Sequence, residues 1–131
     1  MANVVLNIMI GLGTGIVAGI VVVRATRFGH LKQELHRMIR NWGVMGNEVI
    51  EPLDCRRMRD IAAELAFLGH RLACESVLSA SAEVERRQDP GQLKSPEPTW
   101  PTNLLDLDRV LQKRFRELRP DWIAILVNGS L

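Results

Sequence analysis

The chain has 131 residues, a formal net charge of +2 and no tyrosine. That charge is too small to argue for nucleic-acid binding, no Lys/Arg run carries interleaved aromatics, and the missing tyrosine weakens any base-stacking surface further. All 17 Lys and Arg and all 15 Asp and Glu follow residue 23, so an uncharged segment precedes a charged sequence long enough for one small core.

Residues 4–23 read VVLNIMIGLGTGIVAGIVVV, with Asn7 and Thr14 as the polar side chains. As a helix this stretch would be roughly 30 Å long, the thickness of a bilayer's hydrocarbon core. A cleaved signal peptide would want a basic leading region and a shorter apolar run, and neither is present. Gly13-Thr14-Gly15-Ile16-Val17-Ala18 matches G-x-G-x-x-A, and Glu34 follows at dinucleotide-fold spacing. The context fails, because no second strand follows and the chain turns into a basic helix. A transmembrane helix is the reading that remains.

Arg24, Arg27, Lys32, Arg37 and Arg40 crowd the C-terminal flank against the single acid Glu34. The positive-inside rule then predicts a single-pass protein with its N-terminus outside and its domain in the cytoplasm, with Arg24, Arg27 and Lys32 at headgroup level. Within the span, Asn7, Gly11, Gly15 and Gly19 recur every fourth residue. Such a face lets helix backbones approach closely and predicts self-association or pairing with a partner's membrane helix. Glycine is also common in membrane helices without any partner.

From residue 24 the apolar positions become periodic. Phe28, Leu31, Leu35, Met38 and Trp42 make a three-four seam, with Gly43 and Gly46 as the expected helix stop. A basic amphipathic helix beside a membrane can also lie on anionic headgroups, but the strict seam favours packing in a bundle. Residues 43–53 read as a connection, with Pro52 or Asp54 opening a second helix over residues 54–88. Met58, Ile61, Leu65, Leu68 and Leu72 form its seam, widened by Ala62, Ala66, Ala73 and Val77. Gly69 is a candidate bend, and past Leu78 the apolar stripe fades, predicting a frayed or projecting end. Cys55 and Cys74 would then stand roughly 28 Å apart on one helix, beyond disulfide reach. Free thiols suit a reducing compartment.

Residues 89–102 hold Pro90, Pro96, Pro98 and Pro101 and read as an extended linker, with Trp100 as a docking point. Pro98 and Pro101 meet the P-x-x-P spacing in its minimal sense. A third helix starts near Asn103, with Leu104, Leu107, Leu111, Phe115 and Leu118 as its seam and Val110 beside it. Asp106 and Asp108 near its start, and Arg116 and Arg119 at its end, suit the helix dipole. Residues 122–127 (WIAILV) are apolar but too short to span; they read as a last helical turn packing on the bundle, a short strand, or a surface that meets membrane or a partner, with Asp121 as a cap. The glycosylation triplet Asn128-Gly129-Ser130 would stay unmodified in the cytoplasm.

Chemistry-bearing patterns are few. His70 and Cys74, four apart, have half-site metal spacing with no third ligand nearby, while His30 and His36 do not share a face. No nucleophile elbow, zinc-protease helix, phosphate loop or EF-hand loop is present. The expectation is no enzyme, no catalytic residues, no metal and no cofactor. The chain divides into residues 1–23 as anchor, 24–88 as juxtamembrane helix and long second helix, 89–102 as linker, and 103–131 as C-terminal helix and apolar tail. Residues 24–131 would form one all-α domain, a three-helix bundle continuing from a single membrane helix. The expected function is a membrane-anchored interaction or regulatory subunit, its partners being lipid and either a copy of itself or a partner membrane protein. The alternative is a small pore- or lesion-forming protein that uses the glycine-faced helix.

Overall fold

A computed structural model describes residues 1–46, 48–89 and 99–127. The fold is all-α in class: α1 (Ala2–Asn41), α2 (Cys55–Phe67), α3 (Arg71–Gln88), α4 (Leu104–Arg116) and α5 (Trp122–Val127). A small antiparallel hairpin, β1 (Gly43–Met45) with β2 (Glu48–Glu51), follows α1. Most of the Pro-rich stretch and the Asn128-Gly129-Ser130 triplet lie outside the described residues.

No proline interrupts α1, and its 40 residues run as one helix of roughly 60 Å. Its first half is apolar on every side and exposed. Its second half buries Phe28, Leu31, Leu35 and Ile39. Ile39 was absent from the predicted seam and takes the inward position, while Met38 is half-buried at its edge. The reason is rotational: two successive steps of four hold the face better here than a step of three.

The predicted glycine stop at the end of α1 is not a left-handed cap. Trp42 is already extended, at φ −69° and ψ 109°, and the chain enters β1 directly. Gly43 is needed for close approach instead: a Cβ there would lie 3.0 Å from the Glu51 backbone N and 3.1 Å from the Glu51 Cβ. The pairing is irregular at this point, between Gly43 and Val44. Residues 43–53 are thus a hairpin rather than a plain connection. The signal was Gly46-Asn47 between two short β-branched runs, and Gly46 supplies a φ of +65°.

The predicted second helix is two helices. Asp54 caps α2 by accepting from Arg57 N at 3.0 Å. At the other end His70 N donates to Leu65 O at 2.9 Å and Gly69 N to Ala66 O at 3.0 Å. That pair of bonds, with Gly69 at φ +88°, is a Schellman termination. The chain reverses, and α3 packs antiparallel on α2: Ser81 Oγ donates to Cys55 O at 3.3 Å, and the Gln88 amide pairs with the Leu53 backbone, Nε2 to Leu53 O at 3.1 Å. Cys55 and Cys74 therefore lie on different helices, both as free thiols, and the single-helix separation no longer applies.

The break also resets the helical phase. Leu72, placed in the seam from its spacing, is 80% exposed, while Ala73, Val77, Ala80 and Val84 face inward. Nor does the far end of α3 fray. It runs to Gln88 with Ala80, Ser81, Glu83 and Val84 buried, because small side chains let it approach α2 closely. Replacing Gly69 by alanine is expected to destabilise the domain by about 1–2 kcal/mol, the cost of a Cβ in a left-handed conformation. Thermal unfolding of the full chain in detergent would report it, and an unchanged midpoint would count against the cap.

Asn103 caps α4, accepting from Leu105 N at 3.0 Å. Leu104, Leu107, Leu111, Phe115 and Leu118 are buried, whereas Val110, set beside that seam by spacing, is exposed. Trp100, read as a docking point of the linker, is packed into the domain's own core: it is 7% exposed, and the Arg114 guanidinium lies 4.4 Å above its ring. The second half of α1 shares one core with α2, α3 and α4.

Candidate functional site

Among the described residues, α1 is the helix long and apolar enough to cross a membrane, and none of its apolar half is buried by the rest of the chain. Each large side chain from Val4 to Val17 named in the apolar run stands more than half exposed. Thr14 turns its hydroxyl inward, donating to Ile10 O at 2.6 Å, so it brings no unmet hydrogen bond to an apolar medium.

Asn7, Gly11, Gly15 and Gly19 are all exposed, and a Cβ added at any of the three glycines would meet nothing within 4 Å. Steps of four residues advance the face by roughly 40° each, so these positions wind slowly round the helix. That is the ridge along which two helices cross closely with a right-handed geometry. Within one chain this face is unused.

Of the three basic residues expected at headgroup level, two are engaged by the domain. Arg27 pairs with Glu64 of α2. Lys32 Nζ donates to Arg116 O at 2.7 Å and Leu118 O at 2.9 Å, closing the C-terminal end of α4. Arg24 lies at the junction itself, half-buried, with Nη1 enclosed and without a hydrogen-bond partner. A lysine on one helix capping a helix eighty residues later leaves no mark in the local sequence.

The junction is organised by His70, which follows the Gly69 turn. Its ring is buried, meets Phe28 edge-on with centroids 4.7 Å apart, and through Nδ1 accepts from the Asp121 backbone N at 3.0 Å. Burial pushes its imidazole below the ordinary value of 6.5, against a smaller upward pull from the Asp121 carboxylate. One neutral ring thus ties α1, the α2–α3 turn and the start of α5 together. The sequence signalled a His four residues before a Cys, which suggested a metal half-site; Nδ1 is instead committed to a backbone N–H. No group of three or more His, Cys, Asp or Glu suited to a metal ion occurs among the described residues.

Other polar groups make contacts within the domain. Glu83, 5% exposed, takes Arg86 at 3.1 Å and Arg87 at 2.8 Å, and Arg87 also donates to Thr102 O at 2.6 Å and to Pro101 O. This pins the end of the Pro-rich stretch to α3. Burial, with Glu85 adding to it, pushes the Cys55 thiol up to about 11, so it stays protonated at neutral pH. A shallow depression of about 580 Å³ is lined by Arg27, His30, Gln33, Glu34 and Arg37. Two of its charges are paired across to α2: Arg27 with Glu64, and Glu34 with Arg57 at 2.7 Å.

No family model, no curated protein and no solved structure matches this chain.

Proposed function

We propose that this protein is a single-pass, membrane-anchored interaction subunit. Its polar helical domain lies at the cytoplasmic face, and it associates through the Asn7, Gly11, Gly15 and Gly19 face with a copy of itself or with a partner's membrane helix. The observation that carries this reading is the division of labour along α1. One uninterrupted helix is wholly exposed in its apolar half and is a core element of the domain in its other half. An apolar helix of this length, exposed on all sides, is costly in water and suited to lipid. Because the helix continues without a hinge, any pairing in the membrane also sets the angle at which two domains meet. The excess of Lys and Arg after residue 23 supports the cytoplasmic orientation.

Crosslinking in native membranes tests the pairing. The wild-type chain is expected to give a discrete dimer or larger species, and the double variant Gly15→Leu/Gly19→Leu should lose most of it while staying in the membrane pellet after alkaline washing. An oligomer of unchanged size in the variant removes the glycine face from the mechanism. Extraction of the wild-type chain by alkaline carbonate removes the anchor itself.

A further inference from the structure

The domain has its own exposed apolar surface, and its place in the fold is specific. In α5, Ile125 is fully buried, while Trp122 (57% exposed), Ile123, Leu126 and Val127 face outward. Phe67, at the end of α2, is 87% exposed, and Leu72, at the start of α3, is 80% exposed. Large apolar side chains so exposed within one small domain are unusual where water is the only neighbour.

These six lie at the end of the domain from which the apolar half of α1 emerges; Met45 and Ile50, also exposed, belong to the hairpin that follows the other end of α1. Two ion pairs, Arg57 with Glu34 and Arg27 with Glu64, show α2 running antiparallel to α1. Extending that pairing brings Phe67 and the following turn level with the residues just before Phe28, and the His70–Phe28 contact agrees. The C-terminal segment follows the same course. Leu118 O is held by Lys32, Asp121 N by His70 beside Phe28, and α5 then packs on α1. Ile20, Val21, Arg24 and Ala25 are partly covered, on the side of α1 that carries Phe28. So α5 packs against this end of α1, and the partial cover of Ile20 and Val21 shows that the domain reaches the last turn of the apolar stretch.

We propose that α5, with Phe67 and Leu72, seats the domain on the bilayer, at the boundary between headgroups and acyl chains of the leaflet through which α1 passes. This rests on the reading of α1 as a membrane anchor, because α1 sets the depth. If residues 4–23 span, α5 lies at the edge of the hydrocarbon, where an uncharged WIAILV helix with a tryptophan at its start is stable. The exposed cations at this level, Arg71 and Arg119, suit phosphate headgroups, and the nearby Asp121 carboxylate is turned to capping Ile123 N at 3.0 Å. Lipid is favoured over a second copy because the surface surrounds the exit of an apolar helix. With α1 and α5 both engaged, the domain cannot swing freely about its anchor.

Tryptophan fluorescence tests the seating. Trp42 and Trp100 are 5% and 7% exposed, so the difference between the wild-type chain and Trp122→Phe isolates Trp122. The full chain is reconstituted into phosphatidylcholine–phosphatidylglycerol vesicles carrying bromine at shallow or deep acyl positions. Shallow bromine is expected to remove about half of the Trp122 emission, with less loss from deep bromine and little from aqueous iodide. A Leu126→Glu/Ile123→Glu chain, which leaves the buried Ile125 in place, should gain iodide quenching several-fold while α1 still resists alkaline extraction. If Trp122 in the wild-type chain is open to iodide while the protein stays in the vesicles, the seating is wrong and the anchor stands. Protection from iodide without bromine quenching means that protein covers α5, which also overturns it. A chain that washes off the vesicles overturns the anchor together with the seating.

Discussion

Replacing Glu83 by alanine is expected to destabilise the domain by about 3 kcal/mol, at the lower end of the range for removing one partner of a buried ion pair. The carboxylate is 5% exposed and is shared by Arg86 and Arg87, whose side chains are themselves mostly buried. Arg87 keeps its bonds to the Pro101 and Thr102 carbonyls, which limits the loss. Glu83→Gln retains an acceptor and should cost less. Thermal unfolding of the full chain in detergent, followed by circular dichroism, should show midpoints falling in the order wild type, Gln, Ala. At roughly 4–8 °C per kcal/mol for a domain of this size, the alanine variant is expected to lose more than 10 °C. Equal midpoints for wild type and alanine would mean that the cluster is no keystone.

Replacing His70 by alanine should cost about 3 kcal/mol as well, from the unpaired Asp121 N–H, the lost edge-on contact with Phe28 and the space left behind. Its second consequence is a pH dependence. The folded imidazole is held below 6.5 by burial, whereas in the unfolded chain it titrates near that value. As pH falls through about 6.5 the unfolded chain takes up a proton that the folded chain refuses, so stability drops until the lower, folded value is passed. His36 adds to the same trend, its imidazole lowered by burial and by Lys32, Arg116 and Arg40. Glu34, held below its ordinary 4.5 chiefly by the Arg57 hydrogen bond, acts in a more acidic window. The unfolding midpoint of the wild type is therefore expected to fall between pH 7.5 and 5.5, and His70→Asn should flatten much of that slope. A wild-type midpoint constant over this interval would contradict the buried neutral ring. In the seating proposed above, losing His70 also releases the start of α5, so Trp122 should move towards water in vesicles.

The parts legible in the sequence were those whose cause is local. The extent of α1 follows from an uncharged run, a three-four seam and the absence of proline over residues 2–41. Likewise α4 follows from Asn103 and a leucine seam, and the cap at Asp54 from the order of residue types. What escaped was set by partners distant along the chain. Gly69 was visible as a bend, but whether a glycine interrupts a helix or ends it depends on whether α3 can fold back on α2. It can, because Ala73, Val77, Ala80 and Ser81 give α3 a small face, and that choice moved Leu72 outward. Trp100 stood out in the linker as a docking point, but that it would be enclosed by Arg114 on α4 and the shared core had no local signal.

The sequence by itself determined that a long apolar helix precedes a charged helical region, since an uncharged run followed by a three-four period is a matter of local composition and spacing. Only the tertiary structure decided which exposed apolar groups of the domain would come together. Antiparallel packing of α2 and the packing of α5 against α1 bring Phe67, Leu72 and Trp122 to one end. Segments far apart in sequence meet there because a single buried histidine holds both chain reversals against Phe28.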